Sequence, residues 1–344
     1  MFYSLPTETK LDIFKYFSYQ QLCSIKQTNL YFRDFINDFQ GKLAREEFNG
    51  ISIDIYSCLG LTNNKLIKPK AEDFDFLLNE QLEEKWKNGL KTPIPLYLPQ
   101  DKCNIVICLD KGYDTGCHIH QLPKMVKSKE DIKIVYYYLN KLFNCSFKRC
   151  DFHKYIFNPK LIQLLFGTAR QFYIQTCNLS VYEFSIERLF QFVWNNLASG
   201  ILTINFSMGE DVMKKYINIL FKILINEEDK FGKVELRFYT FFGGLSHGIN
   251  ATLLYDQIVE YITTSRDYSK MVPVITFEFA YPTSFKLSER AEKVETKQLN
   301  DVKYTNYQIS HINNPIAKYL FFNEERKTPR AFQVKIEIKK VEFE

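Results

Sequence analysis

The stretch LPTETKLDIFKYFSYQQLCSIKQTNLYFRDFI, residues 5–36, predicts short helices in close succession. Pro6 and Glu8 are typical of a first helical turn, because proline has no amide hydrogen to lose there and an acidic side chain is favoured near a helix N-terminus. Ser18 followed three residues later by Gln21 has the spacing of a capping box. This pair predicts the start of a second helix.

A third helix is predicted to begin after Thr28 and Asn29, which can both cap a helix N-terminus, and to run toward Phe48. The three helices together carry apolar side chains on more than one face. A unit of about 45 residues is near the lower limit for independent folding. We therefore expect one apolar face to pack within the chain and the other to meet a partner.

These helices resemble the F-box motif, in register and without a gap. Thr28 stands where the F-box family usually has valine, and Phe32 where it often has tryptophan. The resemblance covers about the first 45 residues, and a helical cap that only packs against the rest of the chain is the alternative. It implies docking on the Skp-family adaptor, and through it on a cullin, of an SCF (Skp–cullin–F-box) ubiquitin ligase. The adaptor-binding residues that it implies are Leu5, Pro6, Glu8, Ile13, Phe14, Phe17, Leu22, Ile25, Thr28, Asn29 and Phe32.

The composition is that of an ordinary globular protein, with 46% hydrophobic residues in a chain of 344. The 45 basic and 40 acidic residues are scattered along the chain, which argues against nucleic-acid binding. No apolar run reaches the length of a membrane span, and the N-terminus lacks the pattern of a signal peptide. We expect a protein of the cytoplasm or nucleus that binds no membrane.

The pattern predicts a mixed α/β fold in three parts: an F-box at 1–48, a connecting region at 49–100, and an α/β domain at 101–344. The connecting region holds a strand (ISIDIY), a charged helix from Glu72 to Asn88, and the proline-rich joint KTPIPLYLP. From residue 101, strands and helices alternate, which predicts parallel crossovers. A terminal antiparallel hairpin is expected at AKYLFFN and AFQVKIEIKK, and 286–303 is expected to be a solvated helix or loop.

Two segments, LFNCSFKRCDF and ARQFYIQTCNL, share one apolar pattern and place Cys150 and Cys177 at the same position. The pattern resembles a leucine-rich repeat of the cysteine-containing kind, in which both cysteines are small buried residues. The spacing between successive strand segments becomes longer further along the chain. An irregular leucine-rich-repeat-like arc and an ordinary open α/β sheet therefore both remain possible.

A hydrolase is the competing class of function. GLSHG, residues 244–248, satisfies the G-x-S-x-G pattern of a nucleophile elbow, with Ser246 as nucleophile and His311 as the histidine that follows it. However, the preceding strand is half polar and no glycine-rich oxyanion loop precedes it. An ordinary strand-to-helix loop is the favoured interpretation.

The segment CNIVICLDKGYDTGCHIH, residues 103–120, gathers possible zinc ligands: Cys103, Cys108, Cys117, His118 and His120. Because Cys108 lies within an apolar strand, core cysteines beside surface histidines are favoured over a metal site. We expect neither a metal nor another cofactor.

The segments 77–99 and 304–322 are similar to a large family of nematode F-box proteins. The function expected from these resemblances is target recognition within an SCF ubiquitin ligase, without catalysis by the chain itself. A serine hydrolase using Ser246, or an F-box protein that acts outside a ligase, are the alternatives.

Overall fold

The computed structural model describes residues 2–58, 66–74, 84, 92–112, 116–167, 169–181, 186–206, 214–238, 249–267, 269–281, 285–327 and 332–341. The fold is mixed α/β: three N-terminal helices are followed by a large region composed mostly of sheet. The chain divides into two compact units. The first comprises 1–96, 103–149 and 160–174, and the second comprises 97–102, 150–159 and 175–344.

The described helices are α1 Thr7–Lys15, α2 Tyr19–Lys26, α3 Leu30–Asp38, α4 Lys129–Phe143, α5 Pro159–Phe166, α6 Ile186–Asn196, α7 Ile217–Asn226 and α8 Ile249–Thr264. Short 3-10 turns cover Phe2–Ser4, Gln40–Lys42, Tyr56–Cys58 and Ala71–Asp73. No helix in the described ranges is long and apolar enough to cross a membrane.

The described strands are β1 Glu46–Ile55, β2 Leu66–Ile67, β3 Ile94–Pro95, β4 Tyr97–Leu98, β5 Ile105–Asp110, β6 Cys117–His120, β7 Met125–Val126, β8 Cys145–Phe152, β9 Ile156–Phe157, β10 Phe172–Val181, β11 Leu197–Phe206, β12 Phe231–Phe238, β13 Val274–Tyr281, β14 Glu292–Leu299, β15 Val302–His311, β16 Asn314–Lys327 and β17 Phe332–Lys340.

In the first unit, β1 pairs antiparallel with β5, and β5 pairs antiparallel with β6. The prediction of parallel crossovers from residue 101 onward was therefore wrong for β5. The sequence neighbour of β5 is β6, which follows after a short connection and pairs with it antiparallel. The helix expected after β5 does form as α4. Ser128 caps it, with its hydroxyl accepting from the Asp131 amide at 3.1 Å.

In the second unit, the strands follow the order β10, β11, β12, β13, β17, β16, β15, β14. The pairs β11–β12 and β12–β13 are parallel, as predicted, with α7 and α8 in the connections. The pairs from β13 onward to β14 are antiparallel. The hairpin predicted at the C-terminal end is confirmed as β16 and β17.

Side chains of the parallel strands alternate between a buried and a polar face. On β12, Val234 and Leu236 are fully buried, whereas Lys233, Glu235 and Arg237 form ion pairs of 3.0 and 2.9 Å on the other face. Because β10 to β13 follow chain order and right-handed crossovers are the rule, the connecting helices are expected on a single face of these strands.

Cys150 and Cys177 are fully buried, as predicted, and their thiols are hydrogen bonded. Burial, together with this hydrogen bond, raises the pKa of the Cys150 thiol well above its usual range. Since the thiolate is the reactive form of cysteine, this environment suits a packing role.

Two expectations about element boundaries were wrong. The third helix ends at Asp38 and not near Phe48, because the chain turns at Gln40–Lys42 and then alternates as strand β1. In the region expected to be a solvated helix or loop, residues 286–291 do form loop and turn, but 292–303 form strand β14 and the start of β15, where Val302 is buried. The charged helix expected from Glu72 to Asn88 lies largely outside the described residues.

Candidate partner-binding surface

The three N-terminal helices begin at local capping interactions. The Ser18 hydroxyl accepts from the Gln21 amide at 3.3 Å, and the Gln21 side chain accepts in return from the Ser18 amide at 2.8 Å. The Asn29 side chain accepts from the Phe32 amide at 2.9 Å. These bonds satisfy amide groups that have no partner within a helix, so α2 and α3 begin where the sequence predicts.

Pro6 occupies the N-cap position of α1 and makes no side-chain capping bond. The sequence predicted Pro6 within the first turn of α1, but the helix begins one residue later, at Thr7. Thr28 uses its hydroxyl locally, donating to the Ile25 carbonyl at 2.7 Å. Thr28 and Asn29 thus have structural roles in the connection between α2 and α3, while both remain exposed to solvent.

An aromatic cluster forms the interior of this helical segment. The Phe14 ring lies within 6.0 Å, centroid to centroid, of the rings of Phe2, Phe17, Phe32 and Phe35. Such edge-to-face and tilted ring pairs add to the energy gained by burying their area. The buried members of this core are Leu11, Phe14, Leu22, Phe35, Ile36 and Leu43.

The eleven residues that the motif singles out therefore fall into three groups. Phe14 and Leu22 are each 2% exposed and belong to the core, so no partner can contact them in this conformation. The half-buried residues are Leu5, Ile13, Phe17, Ile25 and Phe32. The exposed residues are Pro6, Glu8, Thr28 and Asn29.

Three large apolar or aromatic side chains outside the motif set are also exposed on this segment. Tyr16 is 90% exposed, Leu30 is 65% exposed and Tyr3 is 58% exposed. No single spacing in the sequence marks these three positions, because each follows from how its element packs. Single exposed apolar residues are ordinary, but three in the first 30 residues form an unusual concentration.

Lys10 is the least expected residue of the segment. It is 7% exposed, and its ammonium group donates to the Tyr3 carbonyl at 2.8 Å and lies 5.4 Å from the centre of the Tyr31 ring. Lys10 therefore ties the N-terminal turn to α1 and α3. Nothing in the spacing of the sequence indicates this role.

The possible zinc ligands are not brought together. On β6, His118 and His120 point to one face, whereas Cys117 and its diagonal neighbour on β5, Cys108, point to the other. The hydrogen bond with Cys117, together with burial, raises the pKa of the Cys108 thiol. Within the described parts of the chain, no group of three or more His, Cys, Asp or Glu side chains could hold a metal ion.

Ser246 and the rest of GLSHG lie outside the described residues. His311 is buried, and both of its ring nitrogens meet backbone groups: Nδ1 accepts from the Asn313 amide at 3.1 Å, and Nε2 lies 2.9 Å from the Ser265 carbonyl. With Nδ1 as acceptor, Nε2 carries the hydrogen and donates. This arrangement gives His311 a structural role between β15 and the end of α8.

A family described as a domain of unknown function (DUF8381) matches residues 67–207. This match covers less than half of the chain and begins after the three N-terminal helices. No curated protein and no solved structure matches the chain.

Proposed function

We propose that this chain is the substrate-recognition subunit of an SCF ubiquitin ligase. Residues 1–48 would dock on a Skp-family adaptor, and residues 101–344 would hold a target protein. The observation that carries the proposal is a short helical segment whose sequence resembles the F-box motif and which still exposes apolar side chains after its own core is complete.

The docking surface consists of the exposed and half-buried residues, not of the core. Pro6 at the start of α1, Leu5 before it and Leu30 at the start of α3 are the apolar residues best placed to bury area on a partner. Phe14 and Leu22 support this surface indirectly, because their packing positions the three helices. In the complex, the exposed motif residues would therefore contact the adaptor, and the buried ones would hold the helices in place.

The C-terminal region supports the second half of the proposal by its architecture. Buried residues recur at matching places on the parallel strands, where Ile204 faces Leu236 and Leu236 faces Phe277. Successive strand–helix units of this kind resemble an irregular leucine-rich-repeat-like arc. The polar side chains of β12 define one face of the sheet, and we expect the connecting helices to lie on the other face. A target held there would raise the local concentration of its lysines near the ubiquitin carrier, a proximity effect that requires no catalytic residue in this chain.

Co-expression with a Skp-family adaptor tests the docking step. The full chain is expected to co-elute with the adaptor. In a Pro6→Ser, Leu30→Glu double variant, affinity should fall by about tenfold or more for each lost apolar contact. Both changes suit the fold: serine can cap α1, and an acidic residue is favourable in the first turn of α3.

Leu299→Glu is the matched control, because Leu299 is 53% exposed on β14, outside the helical segment, and its change should leave adaptor affinity unaltered. Absence of a complex, or equal affinity of the double variant and the wild type, would overturn the proposal. If the adaptor binds but reconstituted ligase does not modify captured targets, the F-box assignment stands and the protein acts outside a ligase.

A further inference from the structure

A polar cavity lies within the first unit, beside the C-terminal ends of α3 and α4. Its volume is about 470 Å³, within the range of ligand sites. The polar side chains that line it include Asn37, Asp38, Arg45, Asn140, Arg170 and Gln171. The GLSHG motif, the helical docking surface and the Cys/His segment contribute no residue to this lining, so the functions considered above leave the cavity unexplained.

Arg45 is the central cation of the cavity. Its Nη1 donates to the Phe143 carbonyl at 2.7 Å, its Nη2 donates to the Gly41 carbonyl at 3.4 Å, and its guanidinium stacks 3.6 Å from the centre of the Tyr173 ring. Arginine has five N–H donors in a planar fork, so these two carbonyls leave donors for a ligand.

The charge of Arg45 has no carboxylate partner among the described residues. Two of its hydrogen bonds go to backbone carbonyls, and its side chain also interacts with Tyr173. Partial burial makes this charge costly, and accordingly burial lowers the pKa of the Arg45 guanidinium. An anion in the cavity would offset that cost and could accept two parallel hydrogen bonds from the fork.

The remaining lining suits a compact anion with hydrogen-bond acceptors. Arg170 adds a second positive charge, and the amides of Asn37, Asn140 and Gln171 can donate. Asp38 opposes an anion, as do the C-terminal ends of the two helices. The side chains of the lining include two guanidinium groups and one carboxylate, so their net charge is positive.

We propose that this cavity binds a ligand through an oxyanion group, either a phosphate or a carboxylate. The volume leaves room for the body that carries the group as well as for the group itself. The inference concerns the chain alone and does not depend on adaptor docking.

Two neighbouring substitutions with opposite charge effects test the proposal on the full chain. Asn37→Asp adds a carboxylate to the lining, and Asp38→Asn removes one; both side chains are exposed on the last turn of α3, so neither change disturbs the core. With inorganic phosphate and with acetate as probes, in calorimetry at constant ionic strength, Asn37→Asp should weaken binding about three- to tenfold. Asp38→Asn should strengthen binding by a similar factor.

Asn300→Asp is the matched control, because it makes the same chemical change in the turn between β14 and β15 and does not line the cavity. It should bind the probes as the wild type does. A preference for phosphate would indicate a phosphorylated ligand, and a preference for acetate would indicate a carboxylate-bearing one. The proposal is overturned if neither anion binds more tightly than chloride, or if the two α3 variants bind alike.

Discussion

Lys10 illustrates how a single charged side chain can stabilise an aromatic interior. Its ammonium group is enclosed between the Tyr3 carbonyl and the Tyr31 ring, at a position where a lysine is rarely buried. Lys10→Met keeps the length of the stem but removes the hydrogen bond and the cation–π contact. We expect the free energy of unfolding to fall by about 1–2 kcal/mol, measured by urea denaturation.

The control for that experiment is Lys15→Met on the same helix. Lys15 is exposed and pairs with Asp12 at 2.9 Å, an ion pair of the kind that contributes little in water. Its substitution should change the free energy of unfolding by less than about 0.5 kcal/mol. Equal effects of the two substitutions would show that the buried contacts of Lys10 contribute nothing.

His120 should make the stability of the protein depend on pH. Burial, with smaller contributions from His118 and Lys141, lowers the pKa of His120 from 6.5 to about 4. Between these values the unfolded chain binds a proton that the folded chain does not. The stability that neutral His120 contributes is therefore complete above about pH 6.5 and is lost as the pH falls toward 4.

Urea denaturation between pH 7.5 and 4.5 measures this effect. His120→Phe keeps an aromatic ring beside Tyr138, 5.1 Å away, and removes the titrating group. Its stability should fall less steeply with acid than that of the wild type, whereas His153→Gln, at an exposed position, should follow the wild type. Identical slopes for His120→Phe and the wild type would contradict the assignment.

At the scale of single elements, two glycines permit the parallel strands to approach. A Cβ at Gly200 on β11 would lie 2.9 Å from the Gln175 carbonyl, and one at Gly232 on β12 would lie 2.9 Å from the Gly200 carbonyl. Both distances are below those that real side chains adopt. Alanine at either position must therefore displace backbone, and the neighbouring strand has little freedom to move.

Gly200→Ala and Gly232→Ala should each lower the free energy of unfolding by about 1–3 kcal/mol, measured by thermal or chemical denaturation. Gly41→Ala is the control, because a Cβ at Gly41 meets no atom within 4 Å. It should be neutral or slightly stabilising, since alanine reduces the entropy of the unfolded chain. Comparable losses at all three positions would exclude strand spacing as the cause.

Sequence patterns predicted elements best where the signal is local. The capping pair at Ser18 marked a helix start, and the alternation in AFQVKIEIKK marked strand β17, because each depends on neighbouring residues alone. The end of α3 was missed because the residues that follow Gly41, KLAREE at 42–47, are strong helix formers, whereas the chain turns there and continues as a strand. Strand β14 was missed because all of its side chains are exposed, so it shows no alternation.

For the whole molecule, the sequence could identify candidate residues but not their exposure. Phe14 and Pro6 both belong to the pattern that resembles an F-box, yet one is core and the other faces solvent. The cavity around Arg45 could not be predicted at all, because its lining comes from three distant segments of the chain. Exposure and cavities depend on tertiary packing, which no local pattern encodes.

The outermost strand β14 has a consequence for the molecule in concentrated solution. Its backbone edge would offer hydrogen bonds to any extended chain, but Lys293 has a left-handed conformation (φ 48°) and the register shifts between Glu292 and Glu295. An irregular edge strand with several charged side chains cannot form a regular hydrogen-bond ladder with an approaching strand. We therefore expect this edge to resist strand pairing between copies of the protein. A flat, hydrophobic edge strand would instead allow copies to pair and form fibrils.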